Sequence, residues 1–329
     1  MKHIIELCSL ALTIVLMLSC ENKPKIGLAL GGGGAKCASE VGALIALDEA
    51  NIPVGYIAGS SMGALVGGLY AAGYSGEEIR EMLLNEEWIT LFDRHAIGYT
   101  HGVNIEDVER NIFGVIDGDE LEERLHQVLK EKGCETFDDL CIPFQCTATE
   151  IVDGKYLREY VFKSGDVAKA IHASLTFPAP LVGLKPVSYE GMQLVDGGMM
   201  NNLPVDVVKS MGARHVIAID LELKQRHKIA PFLQKGLKFC KRINNKFNIV
   251  VNLTNSEWLL NWDICESDRR HQSNWEMADV KIRNDQLVNY DIISFDREDL
   301  VQMILDGKQA MRDQIYKVRD LLREEEQEQ

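Results

Sequence analysis

The chain has 329 residues, 46% apolar and 7% aromatic, enough for one large α/β domain or two small ones. Its 35 Lys and Arg stand against 50 Asp and Glu, a net charge of −15. That balance argues against nucleic acid as a partner and against steering to anionic lipid, so membrane contact has to come from an attached lipid or a local apolar patch.

The first residues read as an export signal. Lys2 precedes an apolar run over 7–18, too short to span a bilayer comfortably, and Ser19-Cys20 follows before the chain turns polar. We expect a lipoprotein-type signal over 1–19, with Cys20 diacylated as the mature N-terminus and the protein held on a bacterial cell-envelope membrane. An uncleaved anchor or a plain signal peptide is the alternative. The spacing of Cys37, Cys134, Cys141, Cys146, Cys240 and Cys265 is not that of a zinc site, so buried free thiols and no metal are expected.

Residues 25–30 form a short apolar run ended by glycine, which predicts a buried strand. Apolar residues at helical spacing (Val41, Leu44, Ile45, Leu47) follow, and Asn51 and Pro53 stop that helix. Residues 54–58 are again strand-like, and 64–72 make a small-residue helix. Strand, helix, strand, helix with short joins is the pattern of a parallel sheet. Residues 88–118 break the rhythm and read as an insertion or lid. Helical spacing returns over 119–130, and strands over 142–151 and 156–162 flank the turn signal Asp153-Gly154. A helix over 166–174, a helix over 205–211 and a strand over 215–221 come next. Residues 222–274 are the least readable, and 297–324 form an amphipathic tail.

Two glycine signatures carry the chemistry. Gly59-Ser60-Ser61-Met62-Gly63 fits G-x-S-x-G, a strand-to-helix turn that exposes a serine at the C-terminal edge of a sheet. The following helix adds an N-terminal dipole that favours a developing anion. Upstream, Gly31-Gly32-Gly33-Gly34 ends the preceding strand, where Gly33 and Gly34 can offer bare backbone N–H groups to an oxyanion. Phosphate binding fits poorly: Lys36-Cys37 does not complete a Walker A loop, and Cys37 fills the last glycine of a dinucleotide fingerprint. For the base, the order Ser61, Asp196, His215 imitates an α/β-hydrolase, but too few residues precede Ser61 and His215 opens a strand. The remaining candidate is Asp196, in Asp196-Gly197-Gly198, acting on Ser61 directly.

With these residues in view, the chain resembles bacterial patatin-like phospholipases, in the branch similar to neuropathy-target-esterase catalytic domains. Three blocks carry the resemblance, at 27–36, 59–73 and 195–205, and it runs from about 25 to 221. A looser match continues through 278–283. The resemblance implies a three-layer α/β fold with a mostly parallel central sheet flanked by helices, and a catalytic domain over 25–221. Residues 222–329 are then an extension packing on that domain. It also implies Ser61 as nucleophile, Asp196 as base, an oxyanion hole at Gly32, Gly33 and Gly34, and support from Gly59, Gly63, Gly197 and Gly198. The implied reaction is hydrolysis of acyl esters of phospholipids or lysophospholipids, without metal or cofactor. Two departures stand out. Cys37 replaces a glycine of the family loop; if that position demands a positive φ, the loop is strained and the donors misplaced. His172 stands where arginine is more common, and packing beside the cleft is its expected role. The competing functions are a general esterase or thioesterase on small acyl esters, and a lipid-binding lipoprotein silenced by Cys37.

Overall fold

The computed structural model describes residues 26–97, 118–177, 185–221, 261–292 and 294–327, with the single positions 235, 238 and 258. The expected signal over 1–19 and Cys20 lie outside the described residues.

Strands β1 (Ile26–Leu30), β2 (Tyr56–Ser60), β3 (Phe144–Val152), β4 (Tyr156–Phe162), β5 (Val187–Tyr189), β6 (Met192–Asp196), β7 (His215–Asp220) and β8 (Val280–Arg283) form one sheet. Its order is β5-β6-β3-β2-β1-β7-β8, with β4 also paired to β3. The centre is parallel: β1 pairs with β2 and β7, β2 with β3, and β7 with β8. The pairings β3–β4, β3–β6 and β5–β6 are antiparallel.

Apolar residues fill both faces of the central strands, as a sheet covered on both sides requires. Leu28, Leu30, Ile217 and Ile219 point into the larger core, while Ala29, Val216 and Ala218 point into a smaller one. The larger core is roofed by α1 (Ala38–Glu49), α2 (Met62–Ala71), α3 (Gly76–Leu83), α4 (Glu86–Ile97), α5 (Asp119–Glu131), α6 (Val167–Leu175) and α9 (Arg297–Arg312). On the other face lie α7 (Val205–Ser210) and α8 (Ile264–Met277). The architecture is the three-layer α/β arrangement expected. Helix α1 is buried nearly all round because α9 lies across it, where Lys308 and Arg312 pair with Glu49 at 2.7 Å each. Among the described residues, no helix is long and apolar enough to cross a membrane.

Three stretches differ from the sequence reading. The expected insertion over 88–118 lies partly in α4, which buries Trp88, Leu91 and Phe92 at helical spacing and stacks Phe92 on Phe295 at 5.0 Å; residues 98–117 lie outside the described residues. The amphipathic tail is two helices, α9 and α10 (Ile315–Gln327), separated at Asp313 and Gln314. Helix α8 begins within 222–274, the least readable stretch of the sequence, and runs past its end to Met277.

Two strand ends set up the site. Strand β2 runs parallel to β3 as far as the pair Ser60–Thr147. Strand β6 runs antiparallel to β3 and ends at the pair Asp196–Ala148. Since β4 occupies the other edge of β3 along 146–152, β2 and β6 share one edge and meet head to head. Their C-terminal ends, at Ser60 and Asp196, are therefore neighbours although 136 residues apart in the chain.

Candidate active site

Ser61 sits in the turn between β2 and α2 with φ 52° and ψ −127°, outside the regions a serine adopts freely. Such a backbone costs about 1–3 kcal/mol and persists only where its surroundings enforce it. Here α2 packs so tightly on β1 that a Cβ on Gly63 would lie 2.5 Å from the Leu30 carbonyl oxygen. The elbow is also tied from α6, since the Ser61 N–H donates to Ser174 Oγ at 2.8 Å.

The Ser61 hydroxyl donates to Asp196 Oδ2 at 2.6 Å. Asp196 is 4% exposed, and its other oxygen accepts from the Gly198 N–H at 2.7 Å. Its backbone is held twice: the N–H donates to Thr176 O at 2.8 Å, and the carbonyl accepts from Thr149 Oγ1 at 2.8 Å. One carboxylate oxygen is thus anchored to its own turn, and the other is aimed at the serine. A charge-assisted O–H···O bond of this length suits proton transfer from the hydroxyl to the carboxylate.

The glycine loop lies alongside. A Cβ on Gly32 would come within 2.7 Å of Ser61 Cβ, so only glycine lets this loop approach the nucleophile. Asn202 clamps the same residue at both ends: Gly32 N–H donates to Asn202 O at 3.2 Å, and Asn202 Nδ2 donates to Gly32 O at 2.9 Å. Among the described residues, the N–H groups of Gly33 and Gly34 have no acceptor.

Cys37 does not strain this loop. Its φ of −55° and ψ of −20° are helical, and the positive φ of the loop, +57°, belongs to Gly34. The side chain is fully buried in the core, where burial, and after it Glu40, pushes the thiol well above its usual range. A cysteine therefore carries no positive-φ cost at this position, contrary to expectation. A motif position that is commonly glycine need not have a positive φ.

The Ser61 hydroxyl is committed to Asp196, and each of the two histidines faces a carboxylate of its own. His215 starts β7 beside Ile26, at the edge opposite the elbow, with Asp279 Oδ1 at 3.9 Å from its Nδ1. His172 is buried on α6 with Nδ1 2.7 Å from Glu122 Oε2, so it joins α6 to α5. That hydrogen bond is the largest of the effects that hold the Glu122 carboxyl below its ordinary value. Among the described residues, no cluster of His, Cys, Asp or Glu could hold a metal ion.

Sequence reasoning assigned no role to Ser174, Thr149, Thr176 or Asn202. Only Asn202 had a signal, as part of the block at 195–205; the others are small hydroxyl residues whose partners are distant in sequence.

Known proteins match this chain in sequence. A family profile described as patatin-like phospholipase matches residues 28–209. Patatin-like phospholipase domain-containing protein 6 of Homo sapiens is 34% identical over 197 residues, covering 60% of this chain and 13% of that protein. Lysophospholipase NTE1 of Mycosarcoma maydis is 36% identical over 201 residues, covering 60% of this chain and 10% of that protein. The chain thus spans about an eighth or less of these relatives. Among solved structures, the ExoU–SpcU complex of Pseudomonas aeruginosa aligns with a TM-score of 0.46 and 16% identity, over 90% of this chain and 52% of that one. The chain belongs to the patatin-like phospholipase family, a family of hydrolases.

Proposed function

We propose that the chain hydrolyses carboxylic ester bonds of phospholipids or lysophospholipids through an acyl-enzyme on Ser61, with Asp196 as base. The observation that carries this reading is the 2.6 Å bond from Ser61 Oγ to Asp196 Oδ2, beside a loop with two N–H groups that have no acceptor among the described residues. As Ser61 Oγ attacks the ester carbonyl carbon, its proton passes to Asp196 Oδ2. Negative charge moves to the former carbonyl oxygen, where Gly33 and Gly34 can donate. The Gly32 N–H, bound to Asn202 O, contributes through the loop's close approach and not as a donor.

Collapse of this intermediate breaks the bond to the alcohol, which takes the proton from Asp196. A water then attacks the acyl carbon, gives its proton to Asp196, and releases the acid as the proton returns to Ser61. The named activities of the matched relatives favour lipid esters over small ones. The reading includes attachment to a bacterial cell-envelope membrane through Cys20, which brings the site to its substrate; incorporation of labelled palmitate that is lost in Cys20→Ala tests it.

Turnover of lysophospholipid vesicles and of soluble esters of rising chain length tests the activity. We expect rates that climb with chain length and on vesicles, and losses of at least 1,000-fold in Ser61→Ala and Asp196→Asn, about 4 kcal/mol in the transition state. Activity confined to short soluble esters contradicts the phospholipase reading, and turnover by either variant contradicts the dyad.

A further inference from the structure

The family match ends at residue 209, yet the loop that carries Asp196 into the site leans on a helix well beyond it. Residues 197–204, between β6 and α7, have little regular structure of their own beyond a single turn at 197–199. On one side β3 holds the loop, with Thr147 Oγ1 donating to Asn201 O at 3.1 Å. The other side is held by α8 and the residues just before it.

Met199 O accepts two bonds from there, from Trp262 Nε1 at 2.8 Å and Ser267 Oγ at 2.9 Å. Asn274, 1% exposed, donates through Nδ2 to Asn201 Oδ1 at 2.9 Å and accepts at Oδ1 from the Asp206 N–H at 3.2 Å. Asn201 Nδ2 in turn donates to Asp206 Oδ1 and Glu159 Oε1, each at 2.9 Å. Arg270 closes the ring, donating from Nη2 to Glu159 Oε2 at 2.8 Å and to Asp206 Oδ2 at 2.7 Å. Asn201 and Asn274 are each 1% exposed, so moving either strands the other's amide in a poorly polar medium, while the half-buried Arg270, Glu159 and Asp206 tie that pair from its rim.

Asn201 adjoins Asn202, the residue that clamps Gly32 at both ends. We propose that α8 is a positioning element of the hydrolytic site, with Asn274 and Arg270 as positioning residues that set Asp196 and the Gly32–Gly34 loop through Asn201 and Asn202. Neither side chain touches the reacting atoms. They act through the loop, by fixing where the base and the oxyanion donors stand relative to Ser61. The inference rests on the Ser61–Asp196 reading above.

The experiment compares wild type, Asn274→Ala, Arg270→Ala, Arg270→Lys and Ser61→Ala on a soluble ester, with kcat and KM resolved and the rate of fluorophosphonate labelling measured in parallel. Circular dichroism and melting curves report the folded fraction. We expect Asn274→Ala to lower kcat at least tenfold per folded molecule, with KM within twofold, and labelling to slow alongside. Arg270→Lys should recover part of the kcat that Arg270→Ala loses, since it keeps a cation between Glu159 and Asp206. Wild-type kcat in folded Asn274→Ala, with Ser61→Ala inactive, overturns this inference and leaves the dyad standing. A variant that is less stable but has unchanged kcat and labelling also overturns it, because α8 is then only a support of the fold. If Asn274→Ala does not fold, Ser267→Ala and Arg270→Lys decide by the same criterion. Turnover in Ser61→Ala instead removes the reading beneath it.

Discussion

Glu40 offers a test of the core beneath the glycine loop, independent of catalysis. It lies in the first turn of α1, is fully buried, and among the described residues neither of its carboxylate oxygens has a hydrogen-bond partner. A helix N-terminus favours an anion by up to about 2 kcal/mol. Burying an unpaired carboxylate costs several kcal/mol, so burial wins. Accordingly burial raises the Glu40 carboxyl well above its ordinary 4.5; the nearby Gly31 N–H, which donates to Ile219 O and not to the carboxylate, offsets part of the effect through its dipole, and Asp220 adds to it. The folded protein then keeps a proton that the unfolded chain releases near pH 4.5. The Glu40 contribution to stability is complete below that pH and is lost as pH rises towards the folded pKa, at about 1.4 kcal/mol per pH unit. Glu40→Gln has nearly the same shape and never ionises. Its stability relative to wild type should therefore rise by about 1.4 kcal/mol per unit above pH 5 until the folded pKa is reached, or roughly 2 °C in melting temperature per unit for a domain of this size. Urea melts of both proteins at pH 5, 6, 7 and 8 measure this directly. Parallel curves refute the reasoning, because Glu40 then titrates alike in the folded and unfolded chains.

Three further outcomes follow from the site. Asn202→Ala leaves Gly32 O unpaired and frees the loop beside Ser61, so kcat should fall about tenfold to a hundredfold, which steady-state kinetics will report; an unchanged kcat removes Asn202 from the account. Cys37→Gly should not raise activity, and should lower stability by about 1 kcal/mol or more, through a lost buried side chain and a glycine near the start of a helix; a gain in turnover means that Cys37 restrains the loop after all. His215→Ala should keep wild-type turnover on any ester, and a loss beyond threefold in a folded variant contradicts a base role confined to Asp196.

Local features of the site were legible in the sequence. Strand, glycine loop, helix, strand, elbow and helix follow each other within 26–71, and each is marked by apolar runs and by the glycines that end them. The meeting of Ser61 with Asp196 was not legible from spacing, because it depends on β6 running antiparallel to β3 and meeting β2 along one edge. Elimination of other bases left Asp196 as the candidate, and the resemblance of the block at 195–205 pointed to the same pair. Helix α8 escaped for a different reason. Its buried residues are Ser267 and Asn274, so it docks through hydrogen bonds and leaves no apolar stripe for periodicity to find. Cys37 shows the converse limit: a motif marks where glycine is common, while the backbone angle decides whether glycine is needed.

The most direct test of the central claim is mass spectrometry of the protein treated with a fluorophosphonate probe in the presence of lipid vesicles, with Ser61→Ala and Asp196→Asn alongside. Phosphonylation needs an activated serine and oxyanion donors in place together. The account predicts one adduct, on Ser61, absent from Ser61→Ala and slowed at least a hundredfold in Asp196→Asn. A folded wild-type protein that takes up no probe, or takes it up at another serine, contradicts it.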